Sequence, residues 1–113
     1  MPPASLDPNP TKIMYEFEFT LPWGYQDEYG YLHQTGRMRL ATARDEIEAW
    51  QELQNSNQAY LPIILLTKVV TQLGTIPAHL LGPQVFENLY AADMAYLSEM
   101  YLQLNSPPEA TAA

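Results

Sequence analysis

The side chains with which this chain could do chemistry are concentrated in one short acidic segment. Asp27 and Glu28 are adjacent, and His33 follows soon after them. Two carboxylates and an imidazole could bind a metal ion that activates water, so a metal-dependent hydrolase is one interpretation. However, neither His33 nor His79 has a second histidine or a glutamate at the HxxxH or HxxE spacing. Adjacent acids in a turn are typically solvated, so we favour structural or solvent-facing roles for all four residues.

Other kinds of catalysis lack the residues that they need. The chain has no cysteine, which excludes disulfides, thiolate nucleophiles and cysteine zinc sites. Ser98, Thr67 and Thr71 are isolated hydroxyls, and neither a GxSxG motif nor a glycine-rich phosphate loop occurs. The sequence therefore predicts a protein that is not an enzyme and that binds no cofactor and no metal ion.

Length and charge restrict the classes of partner. The 113 residues suffice for one small domain. A net charge of −8, from 13 acidic and 5 basic residues, argues against binding to nucleic acid or to an anionic membrane and favours either solubility or a basic partner. The N-terminus resembles no secretory signal, and the longest apolar run, residues 59–66, is far shorter than the ~20 residues of a membrane helix. We therefore expect a protein that is made and used in the cytoplasm.

Composition at the two ends predicts tails around a single domain. Residues 1–11 carry four prolines and few apolar side chains, and residues 106–113 (SPPEATAA) are similar. Such segments cannot bury enough apolar surface to order themselves. We predict disordered tails at 1–11 and 106–113, and one ordered domain over residues 12–105.

Alternation of apolar and polar residues predicts a β-hairpin near the N-terminus. The first strand runs from about Lys12 to Leu21–Pro22, with aromatic residues on one face and acids on the other. Trp23–Tyr31 forms the connection, in which Gly30 suits a turn. On the return strand, Arg37 and Arg39 would pair with Glu16 and Glu18 across the ladder.

Helix signals begin after the hairpin. Thr42 can cap a helix whose third residue is Asp45, and an apolar stripe follows at Ile47, Trp50 and Leu53. Residues 58–73 form the most apolar segment of the chain. A buried strand has a similar composition, but the length favours a buried central helix that Gly74 ends.

The last predicted helix opens at Gly82-Pro83 and continues to Leu104. Apolar residues recur along it at spacings of three and four, which places Tyr90 and Tyr101 on its core face. Together these elements predict an α+β fold, in which an N-terminal β-hairpin packs on about three α-helices and the last helix is long.

Aromatic side chains around the predicted turn form a candidate partner-binding surface. Tyrosine and tryptophan are enriched where proteins recognise one another, because they bury much area at a low entropy cost. The alternative is that the rings fold back onto the helices as a small second core. On the last helix, two large side chains lie off the core face and suggest a second contact. The candidate residues are Trp23, Tyr25, Tyr29, Tyr31, Tyr96 and Leu102.

Three segments follow one another along the chain: LPWGYQDEYGYLHQTGRMRLATARDEI (21–47), AYLPIILLTKVVTQLG (59–74) and FENLYAADMAYLSEMYLQLN (86–105). Taken in this order, they resemble the phage tail assembly protein family. The resemblance covers roughly residues 15–105. Members of this family are small proteins encoded near tail tube and tape-measure genes of contractile-tailed phages and of phage-derived injection systems.

The resemblance implies a non-enzymatic assembly chaperone or adaptor that binds tape-measure, tail tube or baseplate proteins in the producing bacterial cell. An alternative is a structural component of the tube, hub or baseplate, which would be incorporated in the particle. The resemblance transfers no catalytic residue, and it is compatible with a monomer and with a homo-oligomer.

Overall fold

The computed structural model, which describes residues 15–54 and 56–107, places a β-hairpin first and helices after it. The strands are β1 (Glu16–Gln26), β2 (Leu32–Arg39), β3 (Val70–Leu73) and β4 (Ile76–Pro77). The helices are α1 (Ala43–Leu53), α2 (Leu61–Val69), α3 (Pro83–Glu87) and α4 (Ala91–Leu104), the last of which is the longest. All strand pairs are antiparallel, in the order β1-β2-β3-β4. The α+β fold with an N-terminal hairpin is therefore confirmed. The tail predicted at 1–11 lies outside the described residues, as do residues 108–113 of the tail predicted at 106–113.

The hairpin pairs the two glutamates with the two arginines, as predicted, but its first strand ends later than predicted, and the predicted start near Lys12 lies outside the described residues. Glu16 lies opposite Arg39 and Glu18 opposite Arg37. β1 continues past Pro22 to Gln26, so the prediction that the strand ends at Leu21–Pro22 is wrong. Regular pairing with β2 is interrupted between Thr20 and Tyr25. Proline is tolerated in this stretch of an edge strand because no ladder hydrogen bond is required of it there.

The main core lies between the sheet, α2, α3 and α4. Its largest fully buried side chains come from all of these elements: Leu21, Met38, Leu66, Leu73, Leu81, Phe86 and Leu97. A smaller cluster joins α1 to α2 through Ala49, Leu53 and Ile64. The stripe predicted on α1 is thus wrong at two of its three positions, because Ile47 and Trp50 are more than half exposed.

The most apolar segment is helical over most of its length and ends as a strand. The sequence predicts one helix over residues 58–73, but α2 ends at Val69. Val70 has extended backbone angles, its N–H donates to Leu66 O, and it pairs with Met38 of β2. The β-branched residues at this point suit a buried strand as well as they suit a buried helix.

The predicted last helix is broken into α3 and α4. Asn88 ends α3, and its Nδ2 donates to Gln84 O. Tyr90 is extended and precedes α4. The break turns Tyr90 outward, so its predicted place on the core face is wrong, whereas Tyr101 is buried as predicted. In the described part of the chain, no helix has the length and apolarity to cross a bilayer.

A buried ion pair joins the hairpin to α1. Arg39 donates to both carboxylate oxygens of Asp45, at 2.7 and 3.1 Å, and also to the carbonyl oxygens of Leu40 and Lys68. Asp45 also completes the predicted capping box with Thr42, since each accepts from the other's backbone N–H. These hydrogen bonds, chiefly those from Arg39, lower the pKa of the Asp45 carboxyl to about 2.

Stability should therefore fall in strong acid. Asp45 binds a proton more weakly in the folded chain than in the unfolded chain, so its contribution is present above about pH 4 and is lost as the pH falls through about 2. The shift from 3.8 to about 2 corresponds to about 2 kcal/mol. Urea unfolding of wild type and Asp45→Asn at several pH values measures it. We expect the gap between the two free energies to narrow as the pH falls, and a constant gap would contradict this role for Asp45.

Candidate partner-binding surface

The structure separates the six candidate residues into exposed and packed groups. Trp23, Tyr29, Tyr31 and Leu102 are 65%, 78%, 69% and 64% exposed. Tyr25 and Tyr96 are half-buried and pack against the main core. The aromatic cluster is thus divided, with some rings in solvent and others packed against the core.

Three exposed candidates and one further residue lie at the turn end of the hairpin. Trp23 and Leu32 line one groove together, whereas Leu32 and Tyr31 line a neighbouring one. Tyr29 lies across the turn, beside Leu80 in a third shallow depression. We call Trp23, Tyr29, Tyr31 and Leu32 the hairpin-tip surface. All four side chains are more than half exposed.

A buried acid holds the backbone beneath this surface. Asp93 of α4 is 0% exposed, and its Oδ1 and Oδ2 accept from the N–H groups of Trp23 and Gly24 at 2.9 and 2.8 Å. Asp93 is also the third residue of α4, where the helix dipole favours negative charge. Sequence reasoning missed Asp93, because the predicted helix runs unbroken from Gly82-Pro83 and places this residue in the helix interior instead of in a first turn.

Tyr96 continues this attachment one turn later. The N–H of Thr20 donates to Tyr96 Oη at 3.3 Å. Together, Asp93 and Tyr96 use α4 to satisfy backbone groups on the outer edge of β1. Unpaired groups on an edge strand otherwise invite pairing with another chain. Tyr96 therefore attaches β1 to α4 rather than adding to the exposed surface.

The turn itself is fixed by Asp27 and His33. His33 is buried, stacks on Tyr25 and contacts Asp27 Oδ2 through Nε2 at 2.9 Å. Its Nδ1 faces the N–H of Thr75 at 3.5 Å, so we assign the ring proton to Nε2. Asp27 Oδ1 accepts from the backbone N–H groups at the two turn tyrosines. The hydrogen bond from His33, helped by these N–H groups, lowers the pKa of the Asp27 carboxyl.

The hydrolase interpretation therefore finds two of its three residues in contact. Asp27 and His33 touch, but Glu28 is exposed and is absent from their hydrogen bonds. Across residues 15–54 and 56–107, no three histidine or acidic side chains are close enough together to hold a metal ion. What Asp27 and His33 do in this geometry is to close the turn and join it to the β3–β4 connection.

Gly74 shows how tightly His33 is packed. The φ of Gly74, +59°, lies in the left-handed region, and a Cβ built on Gly74 would be 2.1 Å from His33 Nδ1. Only glycine accommodates both the conformation and the contact. The sheet thus supports the turn end of the hairpin from the β3–β4 side, while α4 supports it from the other side.

Leu102, the remaining candidate, lines an apolar cleft at the other end of α4. The cleft has a volume of about 150 Å³ and lies between α2 and α4. Its lining residues are Pro62, Leu65, Leu66, Ser98, Tyr101 and Leu102. The structure therefore places Leu102 in a surface distinct from the hairpin tip.

Comparison of the chain with protein-family models, with curated proteins and with solved structures found no match.

Proposed function

We propose that this protein is a non-enzymatic assembly chaperone or adaptor for a contractile phage tail or a related injection system. It binds tail tube, tape-measure or baseplate subunits in the producing cell, through the hairpin-tip surface. The resemblance described above supplies the class of partner. Support of a different kind comes from the four large side chains that are exposed at the turn end of the hairpin.

The observation that carries the proposal is the combination of exposed rings with a fixed backbone. The four side chains of the hairpin-tip surface project from a segment whose N–H groups are bound by Asp93 and Asp27. His33 and Gly74 support the same segment from below. A binding surface that is already ordered loses less entropy on association. Solvent-exposed rings with no such role would add only aggregation risk.

The charge of the chain fits a partner that exposes apolar and basic surface. The net charge is −8, and no lysine or arginine follows Lys68 in the sequence. An excess of one sign accelerates encounters with surfaces of the opposite sign. The same excess of negative charge favours solubility of a protein with exposed rings before it binds its partner.

Removing the rings of Tyr29 and Tyr31 should weaken binding of the tail subunit at least tenfold without unfolding the protein. The double variant Tyr29→Ser/Tyr31→Ser keeps the two backbone N–H groups that donate hydrogen bonds to Asp27 Oδ1. We expect an unchanged unfolding midpoint, and at least a tenfold loss of a tail tube or tape-measure protein recovered with tagged protein from the producing cells. Quantitative mass spectrometry of the recovered proteins measures this loss.

The matched control is Trp50→Ser, which removes a similarly exposed ring from α1. It should recover the same tail subunits as wild type. If wild type recovers no tail subunit, or if the double variant and the control behave alike, the proposal is wrong. Purified particles decide between the two roles, since a chaperone should be missing from them and a structural component should be present in fixed stoichiometry.

A further inference from the structure

One face of α4 is left uncovered by the described residues. It runs from the ring of Tyr90 at one end to the apolar cleft beside Leu102 at the other. Ala91, Ala95, Ser98 and Leu102 are spaced four, three and four residues apart, so they lie along one side of the helix. Three of them are exposed, and Ser98 is half-buried. This spacing is the one at which two helices pack side by side.

The two ends of this face differ in shape. At the N-terminal end, the ring of Tyr90 stands edge-on to Trp23, with centroids 6.3 Å apart, and is more than half exposed. At the C-terminal end, the cleft of about 150 Å³ opens beside Leu102. A cavity of about that size accepts a benzene-sized ring. One end therefore presents a ring, and the other presents a space that a ring fits.

The face is also nearly uncharged, which is unusual for this chain. α4 carries two charged residues, of which Asp93 is buried against β1 and only Glu99 is exposed. On α4 itself a basic partner would find a single carboxylate, and a second one, Glu46 of α1, accepts from the Tyr101 hydroxyl at the cleft end. Two copies of a chain with a net charge of −8 repel each other, and they can approach most easily through a face that lacks charge.

We propose that this face binds a second copy of the chain, with the two α4 helices antiparallel. A two-fold axis beside Ala95 and Ser98 sets the N-terminal end of each helix against the C-terminal end of the other. Each Tyr90 ring then enters the partner's cleft, so that the same contact forms twice. The small side chains in the middle let the helix axes approach to about 8–10 Å.

The dimer should be weak and concentration-dependent. A helix of 14 residues is ~21 Å long, and one ring at each end adds little area. The contact therefore falls short of the ~800 Å² per partner that stable complexes bury. We expect a dissociation constant in the micromolar range or above.

Sedimentation equilibrium of the full chain tests the proposal. Wild type should shift from the mass of one chain to that of two as its concentration rises. Ala95→Glu places a carboxylate near its own symmetry mate and should stay monomeric at every concentration. Ala95 is exposed and glutamate favours helix, so circular dichroism should show a folded variant. A control, Gln51→Glu, adds the same charge to the exposed side of α1 and should dimerise like wild type.

A second variant keeps the test decisive if Ala95→Glu were to unfold. Tyr90→Ser leaves α4 intact and should weaken the dimer at least tenfold, because it removes the ring that fills the cleft. A wild type that is monomeric throughout would overturn the proposal, as would a dimer that both variants leave unchanged. Neither outcome affects binding of tail subunits through Tyr29 and Tyr31, so this inference and the proposed function can fail separately.

Discussion

Replacing Asp93 with alanine is expected to destabilise the protein by about 3–6 kcal/mol, which is a large part of the stability of a domain this small. Both carboxylate oxygens accept backbone N–H groups of β1, and the side chain is fully buried. A hydrogen bond to a charged group contributes about 1.5–3 kcal/mol, and the alanine variant would leave both donors without an acceptor.

Chemical denaturation of purified variants measures this loss. Glu99→Ala is the control, since it removes an exposed acid from the same helix and should change the free energy of unfolding by less than about 0.5 kcal/mol. Asp93→Asn keeps the shape of the side chain but turns a donor toward one of the two N–H groups, so it should also destabilise. An asparagine variant as stable as wild type would show that the second hydrogen bond contributes nothing.

Leu66→Ala should cost about 2–5 kcal/mol, the range for truncating a buried leucine. Leu66 is fully buried in the main core, and it also forms part of the wall of the cleft between α2 and α4. The alanine would remove apolar contacts and enlarge that cleft, so collapse of the surroundings can recover only part of the loss.

The matched control is Leu80→Ala, at a leucine that is more than half exposed. It should unfold at nearly the wild-type denaturant midpoint, with the same dependence on denaturant. If Leu66→Ala were as stable as Leu80→Ala, then α2 would not be the centre of the core. For Leu66→Ala we expect a lower denaturant midpoint, with the free energy of unfolding depending on denaturant as steeply as in wild type.

The hairpin and the start of α1 could be predicted because their signals are local. Alternation from Tyr15 to Leu21 gives the strand and its register, and Thr42 with Asp45 gives the capping box. The junction of α2 and β3 could not be predicted, because a continuous apolar run has no period to distinguish helix from strand. No proline or glycine marks the break before α4. The break accompanies the contact of Asp93 with the backbone of Trp23, 70 residues earlier in the chain.

In the candidate site, too, features with a local sequence signal could be predicted and features that depend on distant residues could not. Turn residues around Gly30 predicted the turn, beside which Tyr29 and Tyr31 are exposed, but they left open which rings of the cluster pack on the core. Nothing local distinguishes Tyr25, which stacks on His33, from its exposed neighbours. Asp93 was missed because its partner at Trp23 is a backbone group 70 residues earlier, and such a contact leaves no pattern in the sequence.

The direct passage from α2 into β3 has a consequence for how the molecule opens. Val70 closes the last turn of the helix through its N–H and, as the same residue, pairs with Met38 in the sheet. No loop lies between the two elements to absorb a local movement. Fraying of the helix end must therefore disturb the third strand, and detachment of that strand must loosen the helix. The central helix and the middle of the sheet behave as one cooperative unit, whose amide protons should exchange with solvent together.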